Sequence, residues 1–444
     1  MIGKTLADQL KVSQFNEFLG SINKKWVIYN NLSGSMVEVP KIVYDAIIKN
    51  KLADIKDEKK LEKLHYGNFI VSKVKNEIDE FKRAQKNYID SCKVIGLQIL
   101  PSLNCCFKCT YCYEKPENNI PEMSKKVMDD ILKFLKFKIK PTTEYVNVLW
   151  YGGEPLLAID QIKYLSSNFI KLSHEMNFNY NAFIITNGYL LNKKNVDILI
   201  KSNVKGCQVT IDGVEAIHNR RRVLINGGKT YKKIIDNLKY TLSKNLSICI
   251  RVNIDKTNIE QIDDLFLDLK ENGLFDKVSF TFGLVTRFGK VCRSLEDTLL
   301  TIDEADEIFK QKKIVQMLSN TMNSAIRPMP DYFGCVATAK NSIIIGPQGE
   351  LFKCSKTIGD KNEDCGNISS PDWDNPTLKK WENISNFSID KCRRCSLITI
   401  CRGTGCAFDL IINHNDIYDC NWDELKNYHI NRLKVLYRNK VKKN

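Results

Sequence analysis

The stretch Cys105-Cys106-Phe107-Lys108-Cys109-Thr110-Tyr111-Cys112 decides the reading of this chain. It follows a short apolar run, Val94–Leu100, that reads as a strand. Cys105, Cys109 and Cys112 are separated by three residues and then by two. Thiolates at that spacing reach three corners of a four-iron cubane and leave the fourth iron open to a small molecule. Structural zinc needs four closed ligands. No further Cys or His lies nearby except Cys106, which is adjacent and reads as badly placed.

Working outward, further short apolar runs read as strands at Tyr145–Tyr151, Ala182–Thr186, Cys207–Ile211, Ile248–Asn253 and Lys277–Phe282. Helical patterns lie between and after them, near 124–138, 159–175, 192–202, 230–244, 259–271 and 303–318. Apolar strands spaced by crossover-length helices are the mark of parallel βα units. Six such units predict an α/β fold built on an open, partial (β/α)6 TIM-like barrel, with its active site at the strand C-termini. The cysteine loop falls at the first of those ends.

The loop, with Tyr111 before its last cysteine, resembles the signature of the radical S-adenosylmethionine superfamily. The resemblance implies that Cys105, Cys109 and Cys112 hold a [4Fe–4S] cluster whose open iron binds S-adenosylmethionine. One electron then cleaves the cofactor, and the resulting 5′-deoxyadenosyl radical abstracts a hydrogen atom. Gly152-Gly153-Glu154-Pro155, ending the second strand, is similar to the family's GGEP segment, which contacts the cofactor's amino group. Thr186-Asn187-Gly188 and Thr210-Ile211-Asp212-Gly213 end the third and fourth strands and resemble family segments too. The resemblance implies that Thr210 and a downstream arginine hold the cofactor carboxylate, Arg222 first and Arg251 second. It brings Arg251-Val252-Asn253 near the adenosine.

Residues 335–444 are Cys-rich and poor in apolar periodicity, so metal is expected to help them fold. Cys335, Cys354, Cys392, Cys395, Cys401, Cys406 and Cys420 occur in the order of the SPASM extension, which carries auxiliary four-iron clusters. That resemblance implies one cluster on Cys392, Cys395, Cys401 and Cys420, and a second on Cys335, Cys354 and Cys406. Four residues separate Cys401 from Cys406 where three are usual, and Gly403-Thr404-Gly405 would absorb the extra one. The second cluster lacks a matched fourth ligand; Cys365 or an open iron would complete it. Zinc ribbons would show two CxxC pairs, but only Cys392/Cys395 is one.

Residues 1–93 read as a separate winged-helix-like α+β module. Strands are expected at 25–30, 35–39 and 69–71, and helices at 41–50, 57–64 and 73–87. The module is similar, diffusely, to leader-recognition domains of peptide-modifying enzymes, which add an extended peptide as a strand. The expected organisation is therefore 1–93 peptide recognition, 94–290 barrel, 291–334 bridge and 335–444 SPASM domain and tail.

A net charge of +15 would suit an acidic leader peptide, although most of it is spread over Lys-rich helix faces. Lys73, Lys75, Lys82 and Lys86 could instead face nucleic acid, but no Arg-rich recognition helix appears. The first residues lack an apolar signal core, and no apolar run approaches the roughly 20 residues of a membrane span. A cytoplasmic location is expected, where clustered cysteines bind metal rather than pair. The resulting expectation is a peptide maturase that closes a thioether or C–C cross-link, fed by flavodoxin or ferredoxin. A formylglycine-forming sulfatase maturase is one alternative, a zinc-stabilised nucleic-acid-binding protein another.

Overall fold

A computed structural model describes residues 6–112, 120–285, 296–312, 329–330, 332, 335–384, 387, 389–401, 408 and 422–443. The chain divides into two compact units, one of residues 1–90, 317–339 and 381–444, the other of 91–316 and 340–380. The expected linear order is thus interleaved. The C-terminal Cys-rich stretch is shared out, with 340–380 joining the barrel and 381–444 joining the N-terminal module.

In the first unit, α1 (Leu6–Gln9) leads into β1 (Leu10–Val12), which pairs antiparallel with β5 (Ile70–Ser72). A three-stranded antiparallel sheet follows: β2 (Asn16–Ile22), β3 (Lys25–Asn30) and β4 (Met36–Val39). β2 escapes sequence reading because the Phe18/Gly20 register shift, a bulge with Gly20 at φ +76°, breaks its alternation. Three helices complete the module: α2 (Lys41–Ile48), α3 (Glu58–Tyr66) and α4 (Glu77–Asp90). The Asp57 side chain caps α3 by accepting from Lys60 N. The C-terminal helix, Trp422–Lys443, packs Leu433 and Tyr437 against Leu19, Ile22, Val27 and Tyr29 of the small sheet.

The second unit is the barrel. Its six parallel strands are β6 (Val94–Ile99), β8 (Tyr145–Trp150), β9 (Asn179–Thr186), β10 (Val204–Thr210), β12 (Ser247–Ile254) and β13 (Ser279–Leu284). Between them lie α5 (Lys125–Lys138), α6 (Ile159–Met176), α7 (Lys193–Lys201), α9 (Tyr231–Ser243) and α10 (Ile262–Glu271). Ser124 and Asn192 cap α5 and α7 through their side chains. Ile99, Val146, Trp150, Ile184, Val209 and Ile250 are fully buried, each contributing roughly 1.5–3 kcal/mol by leaving water.

Two features were not expected. First, α8 (Glu215–Arg221) and β11 (Arg222–Leu224) fill the connection after β10, and β11 pairs antiparallel with β7 (Phe107–Cys109). Second, β14 (Ser342–Ile345) adds to β6 as a further parallel strand, and β15 (Leu351–Phe352) pairs antiparallel with it. The sheet therefore runs β13-β12-β10-β9-β8-β6-β14-β15, and part of the stretch expected to depend on metal is held by strand pairing.

Candidate active site

The cysteine loop leaves the end of β6 and is anchored twice. At its base, Asn104 Nδ2 donates to Ile120 O (2.9 Å) and Asn104 Oδ1 accepts from Ile120 N (3.2 Å). Along its length, the β7–β11 pairing sets Cys109 opposite Arg222. Thr110 N donates to Arg221 O (3.0 Å) and Ile225 N to Cys106 O (3.0 Å), extending that ladder at both ends. Among the described residues no three His, Cys, Asp or Glu side chains converge on one point, so the grouping of the three thiols rests on loop spacing. Phe107 N donates to Cys105 Sγ at 3.4 Å. The Cys105 and Cys106 thiols hydrogen-bond, and Asn187 Nδ2 donates to Cys106 Sγ at 3.4 Å. That contact raises the Cys105 thiol and lowers that of Cys106.

The Gly152-Gly153 turn lies on the backbone leading into this loop. A Cβ on Gly152 would sit 2.3 Å from Ser102 O, and one on Gly153 2.3 Å from Leu103 O. The room these glycines make is therefore filled by residues 102–104. Glu154 is fully buried, and its carboxylate accepts from Leu156 N (3.0 Å), Thr186 Oγ1 (2.7 Å) and Asn187 N (2.8 Å). It thereby ties the ends of β8 and β9 together. Burial holds its carboxyl above the usual range, against the pull of those three bonds.

Tyr111 is the hub on the other side. Its hydroxyl bonds to Asp212 and accepts from Arg222 Nη1 (2.7 Å) and Asn253 Nδ2 (3.2 Å). Asp212 also accepts from Asn253 N (3.0 Å), and Arg251 Nε donates to Asn253 Oδ1 (2.7 Å). Thr210 is buried at the end of β10, in register with Arg251, and its side chain takes no part in this network.

The two neighbouring arginines differ. Arg221 is neutralised by Asp255 (2.7 Å) and Asp212 (3.5 Å). Arg222 is as buried, yet among the described residues it has no carboxylate within ion-pair distance, and its Nε has no hydrogen-bond partner. Burial opposes its charge, but Cys109, Tyr111 and Asp212 hold its pKa well above the ordinary value. A buried cation with an orphaned donor, opposite a thiol, suits an anionic occupant. A cluster with three thiolates and a ligand carboxylate are both of that kind. Burial pushes the Cys109 thiol up, and Arg222 pulls it down.

Residues 99–284 match the Radical SAM superfamily. The chain carries a radical SAM domain and is an enzyme. It is 21% identical over 436 residues, 89% of each chain, to the radical SAM cyclopropyl synthase TigE of Paramaledivibacter caminithermalis. It is 26% identical over 184 residues to a cysteine-type anaerobic sulfatase-maturating enzyme of Clostridium novyi, spanning 40% of this chain and 49% of that one. The solved structure of anSMEcpe with bound AdoMet shares its fold, with TM-score 0.60 and 17% identity over 78% of this chain and 95% of that one. S-adenosylmethionine and iron–sulfur chemistry are the cofactors of this superfamily.

Outside the radical SAM domain, the C-terminal cysteines fare unevenly. Cys335, Cys354, Cys392, Cys395 and Cys401 are all partly exposed, whereas Cys406 and Cys420 lie outside the described residues. Cys395 Sγ accepts from Leu397 N at 3.4 Å, repeating the contact at Cys105. Cys365 is the candidate fourth ligand of the second cluster. It is fully buried, its thiol donates to Glu363 O, and burial pushes it up to about 12. Among the described residues no helix is long and apolar enough to cross a membrane.

Proposed function

We propose that this radical SAM enzyme modifies a ribosomally made precursor peptide, abstracting hydrogen from a core carbon and closing a C–C or thioether cross-link. The observation that carries this reading is the extent of the match to the cyclopropyl synthase. Covering 89% of 444 residues, it leaves about 49 outside, fewer than the 90 of the N-terminal module. The sulfatase-maturating relative matches only 184 residues. The second reading, oxidation of a cysteine or serine to formylglycine, draws on that relative and on the fold of anSMEcpe.

In this reading Cys105, Cys109 and Cys112 hold the cluster, and Tyr111, Gly152, Gly153, Glu154, Thr210 and Arg222 surround the cofactor. When bound, the cofactor and cluster supply a radical that removes a hydrogen atom from carbon. The chain supplies position and dryness. Arg222, prepaid in its burial, would meet the carboxylate without reorganising. Glu154 fixes the loop ends from behind rather than offering a free carboxylate, because its oxygens are committed to Leu156, Thr186 and Asn187. Cys392, Cys395, Cys401 and Cys420, and separately Cys335, Cys354 and Cys406, would hold the auxiliary clusters. The N-terminal module would take the leader as an added strand, and a one-electron donor protein would drive turnover.

The test supplies reduced, iron-loaded enzyme with synthetic Cys-containing leader–core peptides taken from short reading frames of its genome. A product lighter by two hydrogens supports the reading, and a cysteine converted to an aldehyde supports the second one. Thiol alkylation separates the cross-links, since a thioether consumes a thiol and a C–C bond does not. Deleting residues 1–90 is not the control, because the C-terminal helix packs on that sheet. Removing the leader from the peptide is.

A further inference from the structure

The segment Asp390-Lys391-Cys392-Arg393-Arg394-Cys395 carries three cations against one carboxylate. Lys391, Arg393 and Arg394 are all exposed, and among the described residues none forms an ion pair or side-chain hydrogen bond. Cys395 lines a cavity of about 470 Å³ with Asp390, Lys391 and Arg394, open to the surface. A fourth cation, Lys82 of α4, lies over the ring of Phe387 at 5.9 Å, and Phe387 packs in the same apolar cluster as Cys392. The segment is held in place: Gln14 Nε2 donates to Arg393 O (3.1 Å), and Cys395 N to Cys392 O (3.0 Å). Elsewhere many of the surface lysines are paired, as Lys75 is with Glu80 and Lys126 with Asp130. Here the charges stand free around two thiols.

Resting on the reading that Cys392 and Cys395 hold an auxiliary cluster, we infer that this basic face docks an acidic one-electron carrier protein. Concentrated, uncompensated charge speeds and orients encounter with a partner of opposite sign. At this face Cys392 and Cys395 are partly exposed beside the cations. The transfer is of one electron: the reduced carrier is oxidised by one unit, the oxidised iron–sulfur centre is reduced by one, and no proton or group moves. Lys391, Arg393 and Arg394 act by positioning the partner and touch no reacting atom.

The experiment compares wild-type holoenzyme with K391E/R393E/R394E and with a control, K194E/K201E, reversed on an exposed barrel helix. Reduction by a flavodoxin hydroquinone and by the methyl viologen radical cation is followed by stopped flow, after iron content is matched. The flavodoxin rate should fall roughly tenfold or more in the triple variant, and its salt dependence should flatten. The control variant, and viologen reduction throughout, should be unchanged. Equal flavodoxin rates in wild type and triple variant overturn the inference. So does a face that binds single-stranded RNA steeply with salt but not flavodoxin. Should the triple variant load less iron, K391Q/R394Q and hydrogen-exchange footprinting of flavodoxin on the wild type decide instead. Protection at 390–395 supports docking, and protection elsewhere refutes it. Viologen-driven peptide modification reports separately on the proposed activity, so loss of one does not mimic loss of the other.

Discussion

The cysteines at 105–112 and those at 392–401 share one local device and differ in everything around it. In each, a backbone N–H two residues on donates to a thiol at 3.4 Å: Phe107 to Cys105, Leu397 to Cys395. The first loop hangs from parallel strand ends and a two-stranded ladder, between the buried charges Arg222 and Glu154. The second is gripped by a turn from the other end of the sequence. Asn31 Nδ2 donates to Ser396 O (2.9 Å), Thr399 Oγ1 to Asn31 O (3.1 Å), and Ser396 Oγ to Glu17. Its charges, at Lys391, Arg393 and Arg394, face water. One loop is thus built to enclose chemistry and the other to stay at the surface while tied to the N-terminal module.

The sharpest way to break this comparison is to remove one thiol from each loop. Cys109→Ala should reduce 5′-deoxyadenosine release to background, because the loop loses a corner of the cluster. With methyl viologen as reductant, Cys395→Ala should still release 5′-deoxyadenosine while yielding no cross-linked peptide. Chromatography of both products checks it, and equal loss of 5′-deoxyadenosine in both variants would remove the division of labour.

Within the first loop, the two arginines should part company. Arg221→Ala leaves Asp255 and Asp212 buried without their cation, and is expected to cost about 3–5 kcal/mol in urea denaturation. Arg222→Gln removes a buried charge that, among the described residues, has no carboxylate within ion-pair distance and whose Nε lacks a hydrogen-bond partner. Stability of the cofactor-free protein should be unchanged or higher, while S-adenosylmethionine binding by calorimetry weakens about 10- to 100-fold. A large stability loss in Arg222→Gln would mean that its charge is already satisfied within the protein.

The second region should be sensitive to mild acid. His429 Nε2 lies 2.9 Å from Asn31 Oδ1, and burial with Arg432 lowers its pKa to about 4 from an ordinary 6.5. Asn31 Nδ2 already donates to Ser396 O and Glu17, so its Oδ1 accepts and His429 donates from Nε2. The unfolded chain binds the proton first, so this contribution to stability is present above pH 6.5 and is lost as pH falls toward 4. Two and a half units correspond to about 3 kcal/mol. His429→Gln, which keeps a donor, should flatten the stability profile over that window. A wild-type profile already flat there would count against the assignment.

What sequence revealed follows from the range of the interactions involved. The six barrel strands, their helices and the loop motifs were legible because apolar runs and the Cys spacing are local signals. β14 was hidden because a four-residue strand in a Cys-rich stretch gains its place only by pairing with Gly96–Ile99, far away in sequence. A small residue at Gly96 is the trace it leaves, since a Cβ there would meet Ser342 Oγ at 2.8 Å. Asn31-Leu32-Ser33-Gly34 carries local turn residues, but the partners of Asn31 at 396, 399 and 429 lie more than 360 residues on. Asp212 and Asn253 were named within strand-end segments, yet their convergence on the Tyr111 hydroxyl belongs to the barrel, not to any segment.

The smallest effects test the comparison at its two buried glutamates. Both Glu154 and Glu17 have carboxyls raised by burial, so by linkage each makes the folded state less stable as pH rises past the ordinary carboxylate range. Neutralising either should remove that dependence. The hydrogen bonds decide whether anything else is lost. Glu154 accepts on both oxygens, from Leu156 N and Thr186 on one and from Asn187 N on the other. In Glu154→Gln an amide N–H₂ must face one set of donors, which should cost about 1–3 kcal/mol. Glu17 takes Ser396 Oγ and Asn31 Nδ2 on the same oxygen, and the other lies 3.9 Å from Lys426. Glu17→Gln can keep both bonds, so it should match wild type at pH 4 and equal or exceed it at pH 8. If denaturation at pH 8 instead shows Glu17→Gln losing as much as Glu154→Gln, the Lys426 contact carries the second region. The neutral hydrogen bonds would then be secondary there.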